Sequence, residues 1–245
     1  AAELNIWAPG LRVLPLPEPS PMFYEPAAWG ATVIRGRIAA LAALAPYAGL
    51  TWPAGDHPVL VASARALLPY TLPRREFLTH TRTWQTGQTV SLEKLLAGWV
   101  AIGYEAQSIV VEPGQFARRG GIVDVFPMAD DRPVRLEFFG DELETIRRFD
   151  PATQRSGEQV SQVTITPARE ALPKHLMDGP GAKGQGAKDK ETGHPVTLEP
   201  SALDPLRAGP LEFQIPNLYP PATVLDYLPA RGRLLVEDWS DLADA

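Results

Sequence analysis

Hydrophobic positions along the chain change their period repeatedly, and each change predicts an element. Residues 11–16 form a short extended run closed by Pro15, Pro17 and Pro19. Over 28–45 the apolar side chains Val33, Ile34, Ile38, Leu41 and Leu44 recur at helical spacing until Pro46 stops the helix. Residues 59–62 are a continuous apolar run of the buried-strand kind, followed by a helical stretch over 64–68. Strand and helix alternating in this way predict an α/β domain.

From about Thr83 the pattern shifts toward period two. Ser91 is placed to cap a helix carrying Leu92, Leu95, Leu96 and Trp99, and strand-like runs then follow at 108–111, 115–119, 121–126, 133–139, 143–149 and 159–166. Turn-formers separate them: Pro113-Gly114, the 128–132 stretch, Gly140-Asp141 and Asp150-Pro151. This is the pattern of an antiparallel meander with one helix. Residues 174–193, KHLMDGPGAKGQGAKDKETG, are polar and nearly devoid of apolar side chains, so they are expected to form a mobile linker. Globular composition returns over 198–245, with a helix at 222–228, a turn at 229–232 and a strand at 233–237. The expected layout is a β-rich insert over 83–168 between two segments of one α/β domain, 1–82 and 198–245.

Composition narrows the chemistry. The 245 residues include 26 prolines and 20 glycines, so many connections must be stiff turns rather than long helices. No apolar run is long enough to span a bilayer. There is no cysteine, which excludes disulfides and thiolate chemistry and fits a reducing compartment. His57, His80, His175 and His194 are scattered without metal-binding spacing, so neither a zinc site nor any other cofactor is expected. The net charge of -6 lacks the basic field of a non-specific DNA binder. The first eight residues show no signal peptide, and the missing initiator Met suggests a processed or excised piece.

Two tempting motifs carry nothing. Gly181 to Gly186 has the outer spacing of a phosphate-binding loop, but Ala187 and Lys188 stand where Lys and Ser/Thr are required. The acidic clusters Asp130-Asp131, Asp141-Glu142-Glu144 and Glu237-Asp238 sit in turns or beside arginines, where carboxylates are solvated or ion-paired. No catalytic residue is assigned.

The run Val134-Arg135-Leu136-Glu137-Phe138-Phe139 says more. Alternation puts Val134, Leu136 and Phe138 on one face and Arg135, Glu137 and Phe139 on the other. An outward Phe139 beside Arg135 has the composition of an interface hot spot. The plainer reading tucks Phe139 under a loop and pairs Arg135 with Glu137 or Glu144. Arg118-Arg119-Gly120-Gly121 permits a sharp bend that brings Arg119 toward the Arg135 row. Over 83–168 there are 8 Lys/Arg against 12 Asp/Glu, so a protein partner fits this face better than DNA.

Several long motifs then recur in an order that resembles a known family. Glu112-Pro-Gly-Gln-Phe116, Arg119-Gly-Gly-Ile-Val-Asp-Val-Phe-Pro127, Pro133-Val-Arg-Leu-Glu-Phe-Phe-Gly-Asp-Glu142, Arg148-Phe-Asp-Pro151 and Thr153-Gln-Arg-Ser156 resemble the UvrB-homology module of the bacterial transcription-repair coupling factor family. The excinuclease protein UvrB shares that module. A weaker likeness reaches upstream to Arg37-Ile-Ala-Ala-Leu41 and Val59-Leu-Val-Ala-Ser63, and downstream to Asp226-Tyr-Leu-Pro229. No Walker A loop is present, and Val236-Glu237-Asp238-Trp239 stands where UvrB has its Walker B ending, so the resemblance implies a degenerate helicase-like α/β domain. It further implies a cytoplasmic, non-catalytic module that binds the excinuclease protein UvrA through Arg119, Arg135 and Phe139. RNA polymerase and double-stranded DNA are partners of the complete factor. A truncated or divergent UvrB is the alternative. On this reading Arg135→Glu is expected to abolish binding with the fold intact.

Overall fold

The computed structural model describes residues 12–19, 29–46, 58–177 and 211–229, with Gly10, Gly232, Arg233 and Leu235. Strands β1 (Val13–Leu16) and β2 (Val59–Ala62) pair in parallel, Val13 opposite Val59 and Leu16 opposite Ala62. Helix α1 (Ala31–Leu44) lies between them in sequence and buries Ile34, Ile38, Leu41 and Leu44, the face its spacing predicts. Gly36 lets it lie close, because a Cβ there would stand 2.7 Å from the Pro17 ring. The short α2 (Ala64–Leu67) is capped by Ser63, whose hydroxyl accepts from the Ala66 N–H.

Helix α1 also buries Arg37, which the apolar pattern does not announce. Its Nε donates to Glu170 Oε1 at 2.5 Å and its Nη1 to the Ala66 carbonyl at 2.9 Å, while the guanidinium lies 5.2 Å from the Trp29 ring centre. The Thr71 hydroxyl also donates to Glu170. All three polar residues are fully enclosed.

Helix α3 (Arg74–His80) and strand β3 (Arg82–Gln85) follow. The apolar pattern misses both, because each contributes little to the core beyond Phe77 and the half-buried Trp84. Helix α4 (Leu92–Ala101) forms where expected and buries Leu92, Leu95 and Trp99. Ser91 occupies its N-cap, but the side chain makes no capping bond.

The meander is a six-stranded sheet in the order β4 (Glu105–Ala106), β5 (Gln115–Arg119), β6 (Ile122–Val125), β7 (Val134–Phe139), β8 (Glu142–Phe149) and β9 (Ser156–Val160). All its pairs are antiparallel except β4 with β5. Two expectations fail here. Residues 108–111 are a loop rather than a strand. Gln115 explains this, since its Oε1 accepts from both the Val111 and Glu112 N–H groups and holds the segment off the ladder. The run 159–166 is not one strand either. Val160 and Val163 are three apart and cannot share a face of one strand, so the chain turns at Ser161 and β10 (Gln162–Ile165) pairs with β3 instead.

The inner face of the meander and the α/β segment share one apolar core. It runs from Leu16, Ile38 and Leu41 through Phe77 and Trp99 to Val123, Leu136 and Ile146. The Trp99 ring meets Phe116 edge-on at 5.7 Å.

Lys174 to Met177 belong to a short helix, α5 (Pro173–Met177), and so depart from the expected linker, whose remainder lies outside the described residues. The later segment comprises a 3-10 turn (Leu211–Gln214), α6 (Ile215–Leu218) and a second 3-10 turn (Val224–Tyr227) where a helix was expected. It packs back on the first part: the Tyr227 hydroxyl donates to the Leu72 carbonyl at 2.5 Å, and the Thr71 N–H donates to Ala222 O. The strand expected at 233–237 lies largely outside the described residues, which retain only Arg233 and Leu235 of it.

Burial pushes the Glu212 carboxyl from its ordinary 4.5 up to about 7, although Arg169 approaches to 3.4 Å. The folded chain therefore holds a proton that the unfolded chain releases. Stability should fall as pH rises from about 4.5 to about 7, and Glu212→Gln should remove that part of the slope. Thermal melts across this window test it, and equal slopes in the parent and the variant would rule it out.

Candidate protein-binding face

The outer face of the meander is built by register. Gly120 (φ +62°) and Gly121 form a two-residue loop that sets Arg119 opposite Ile122. The β6–β7 register places Asp124 opposite Arg135, and the β7–β8 register places Arg135 opposite Arg147. Gly121 is also sterically required, since a Cβ there would stand 2.8 Å from the Phe138 carbonyl oxygen. Alternation along β7 follows the sequence pattern: Val134 and Leu136 are buried, Phe138 packs against the core, and Phe139 on the opposite face is 75% exposed. A register shift after Glu137 leaves Glu144 as the extra residue of a bulge near the Gly140-Asp141 turn.

The electrostatic centre of this face is Asp124, which sequence reasoning missed. Its carboxylate is 1% exposed and accepts from three N–H groups. Arg135 donates in a fork, Nε to Oδ1 at 2.7 Å and Nη2 to Oδ2 at 2.9 Å, and Arg119 Nη2 donates to Oδ2 at 3.1 Å. The pairing of Arg135 with Glu137 or Glu144 is not adopted. Glu137 instead accepts from the Thr145 hydroxyl at 2.7 Å. The bonds to Asp124 hold the Arg135 guanidinium above its ordinary pKa. Arg135 further donates to Ser156 Oγ at 3.0 Å and lies 5.1 Å over the Phe149 ring. The signal for Asp124 was the Gly120-Gly121 loop, which fixes β5 against β6, but its pairing with Arg135 depends on the β6–β7 register.

The face therefore grades along its length. Val110, Ala117, Phe126 and Phe149 make a small second core at one end. The arginines and Asp124 occupy the middle, and the exposed Ile122 and Phe139 mark the other end. Arg119 is 54% exposed and Arg135 only 15%. Arg147, beside Arg135, makes no hydrogen bond or ion pair among the described residues, and the sequence pattern does not single it out. Among the described residues no cluster of histidines and carboxylates is placed to hold a metal ion, and no helix is long and apolar enough to cross a membrane. Asp130, singled out as part of an acidic pair, meets Arg148 at 3.1 Å.

Residues 83–170 match the family model of the UvrB interaction domain. Across 98% of its length the chain is 33% identical to a transcription-repair-coupling factor of Myxococcus xanthus, of which it covers 20%. A transcription-repair-coupling factor of Bacillus subtilis (strain 168) is 31% identical over 61% of the chain and 12% of that protein. One of Staphylococcus aureus (strain USA300) is 34% identical over 48% of the chain and 10% of that protein. The chain thus spans about a fifth or less of the length of these relatives. By these matches the stretch 83–170 is similar to the UvrB interaction domain, set in a chain that over nearly its whole length resembles a transcription-repair-coupling factor.

Proposed function

We propose that the outer face of β5 to β8 binds the excinuclease protein UvrA and so recruits the damage-recognition component in transcription-coupled repair, with Arg119, Arg135 and Phe139 as its anchors. The observation that carries this reading is a fully displayed aromatic, Phe139, at the end of a row of arginines oriented by a buried carboxylate. Aromatic and arginine anchors of this kind dominate protein interfaces. RNA polymerase and double-stranded DNA belong, on this reading, to the rest of a longer cytoplasmic protein. The α/β part is a degenerate helicase-like domain in two segments, 1–82 and 198–245, around the 83–168 module. The relatives matched over most of the chain are coupling factors, which weighs against a divergent UvrB.

Titration of the chain against purified UvrA tests the proposal. Phe139→Ala should weaken binding about thirtyfold, equivalent to about 2 kcal/mol, with the melting temperature unchanged, because the ring packs against no core. Normal binding by the folded variant would reject the assignment. The module is further proposed to be non-catalytic. ATP turnover should stay at background with and without DNA, and a rate that follows the protein through purification would contradict it.

A further inference from the structure

We propose that Asp124 is the positioning residue of this face, holding Arg119 and Arg135 in the conformation a partner meets. The inference rests on the binding role proposed above. A surface ion pair would do little, because two long solvated side chains exchange partners freely. Asp124 differs in being 1% exposed, so its charge must keep its guanidinium partners in the folded protein. Arg135 is fixed at both ends of its fork and again by Ser156. Arg119 commits one nitrogen, Nη2, and its other N–H groups have no partner among the described residues. Arginine has large rotamer freedom, normally lost on association. Here that freedom is already lost before the partner arrives.

The chemistry this favours is a partner carboxylate or backbone carbonyl opposite Arg119, flanked by an apolar recess for Phe139. Asp124 itself is too enclosed to touch the partner, so it acts through the arginines. The sign of its effect is therefore distinctive. Removing a negative charge makes the face more positive, and toward an acidic partner group charge alone would speed association and tighten binding. Loss of positioning predicts the opposite.

Asp124→Asn keeps the side-chain size and one carbonyl acceptor. With purified UvrA as probe, its affinity should fall about tenfold. The loss should be carried by faster dissociation, with the association rate unchanged or raised. In an Arg119→Ala background the same substitution should have a much smaller effect, a coupling that general destabilisation would not produce. Unchanged or tighter binding, or a loss due entirely to slower association, would overturn the proposal. Should Asp124→Asn fail to fold, the parent chain decides. The Arg135 Nε–H should be slow to exchange and rigid by 15N relaxation before any partner is added, and a mobile Arg135 refutes the idea. Phe139→Ala separates the two levels: if it weakens binding and Asp124→Asn does not, only the positioning role falls. If the parent chain does not bind, both fall.

Discussion

Glu170→Ala should lower the unfolding free energy by about 3–5 kcal/mol, because it strands a guanidinium in the interior. Arg37 and Glu170 are both fully enclosed, and the pair is completed by Thr71 and the Ala66 carbonyl. Removal of one partner leaves the other charge without water or counter-charge. Replacing both, as Arg37→Met with Glu170→Leu, removes the charge and refills the space, and should cost much less than either single change. Urea unfolding of the two singles and the double variant gives the comparison. Single variants within about 1 kcal/mol of the parent would show that the charges find solvent.

Arg135→Glu should abolish binding and also destabilise the module by about 3 kcal/mol, which corrects the expectation that the fold would stay intact. The reason is Asp124: the new carboxylate would face an enclosed one of the same sign, with only Arg119 left to balance both. A melting curve without partner is the direct check, and a melting temperature equal to the parent's would restore the expectation of an intact fold. Phe139→Ala and Arg119→Ala are therefore the cleaner probes of recognition, since each removes a displayed side chain. Phe138→Ala, one residue earlier, should lower stability because that ring packs into the core.

What could be read from the chain alone followed from local period. The face assignment of β7 needs only alternation, and α1 and α4 need only helical spacing. Apart from residues 108–111, the failures involve partners from other strands or elements. β3 and β10 pair residues 77 to 83 positions apart, with cross-strand bonds between Gln85 and Gln162 and between Thr83 and Thr164, and β3 has one sizeable apolar residue, Trp84. Residues 108–111 look extended by composition, yet the Gln115 side chain competes successfully for their N–H groups. Asp124 was invisible as the centre of the site because a single aspartate within an apolar strand becomes meaningful only when the neighbouring strand's register is known. Arg37 sits on the core stripe of α1 three residues after Ile34, but a charged residue there reads as exposed until its distant partner, Glu170, is known.

The uninterrupted core separates the proposed binding surface from the unit of folding. A transplant of residues 83–170 into another protein would carry the whole arginine row and Phe139. It would also cut the apolar contacts that join Trp99 and Leu136 to Ile38, Phe77 and Tyr227, and would remove Arg37 from Glu170. The borders of the family match thus do not mark a portable cassette. A graft that keeps the matched stretch together with α1, residues 66–77 and the Tyr227 turn should retain its native packing, whereas one trimmed to the matched borders should expose apolar surface and aggregate.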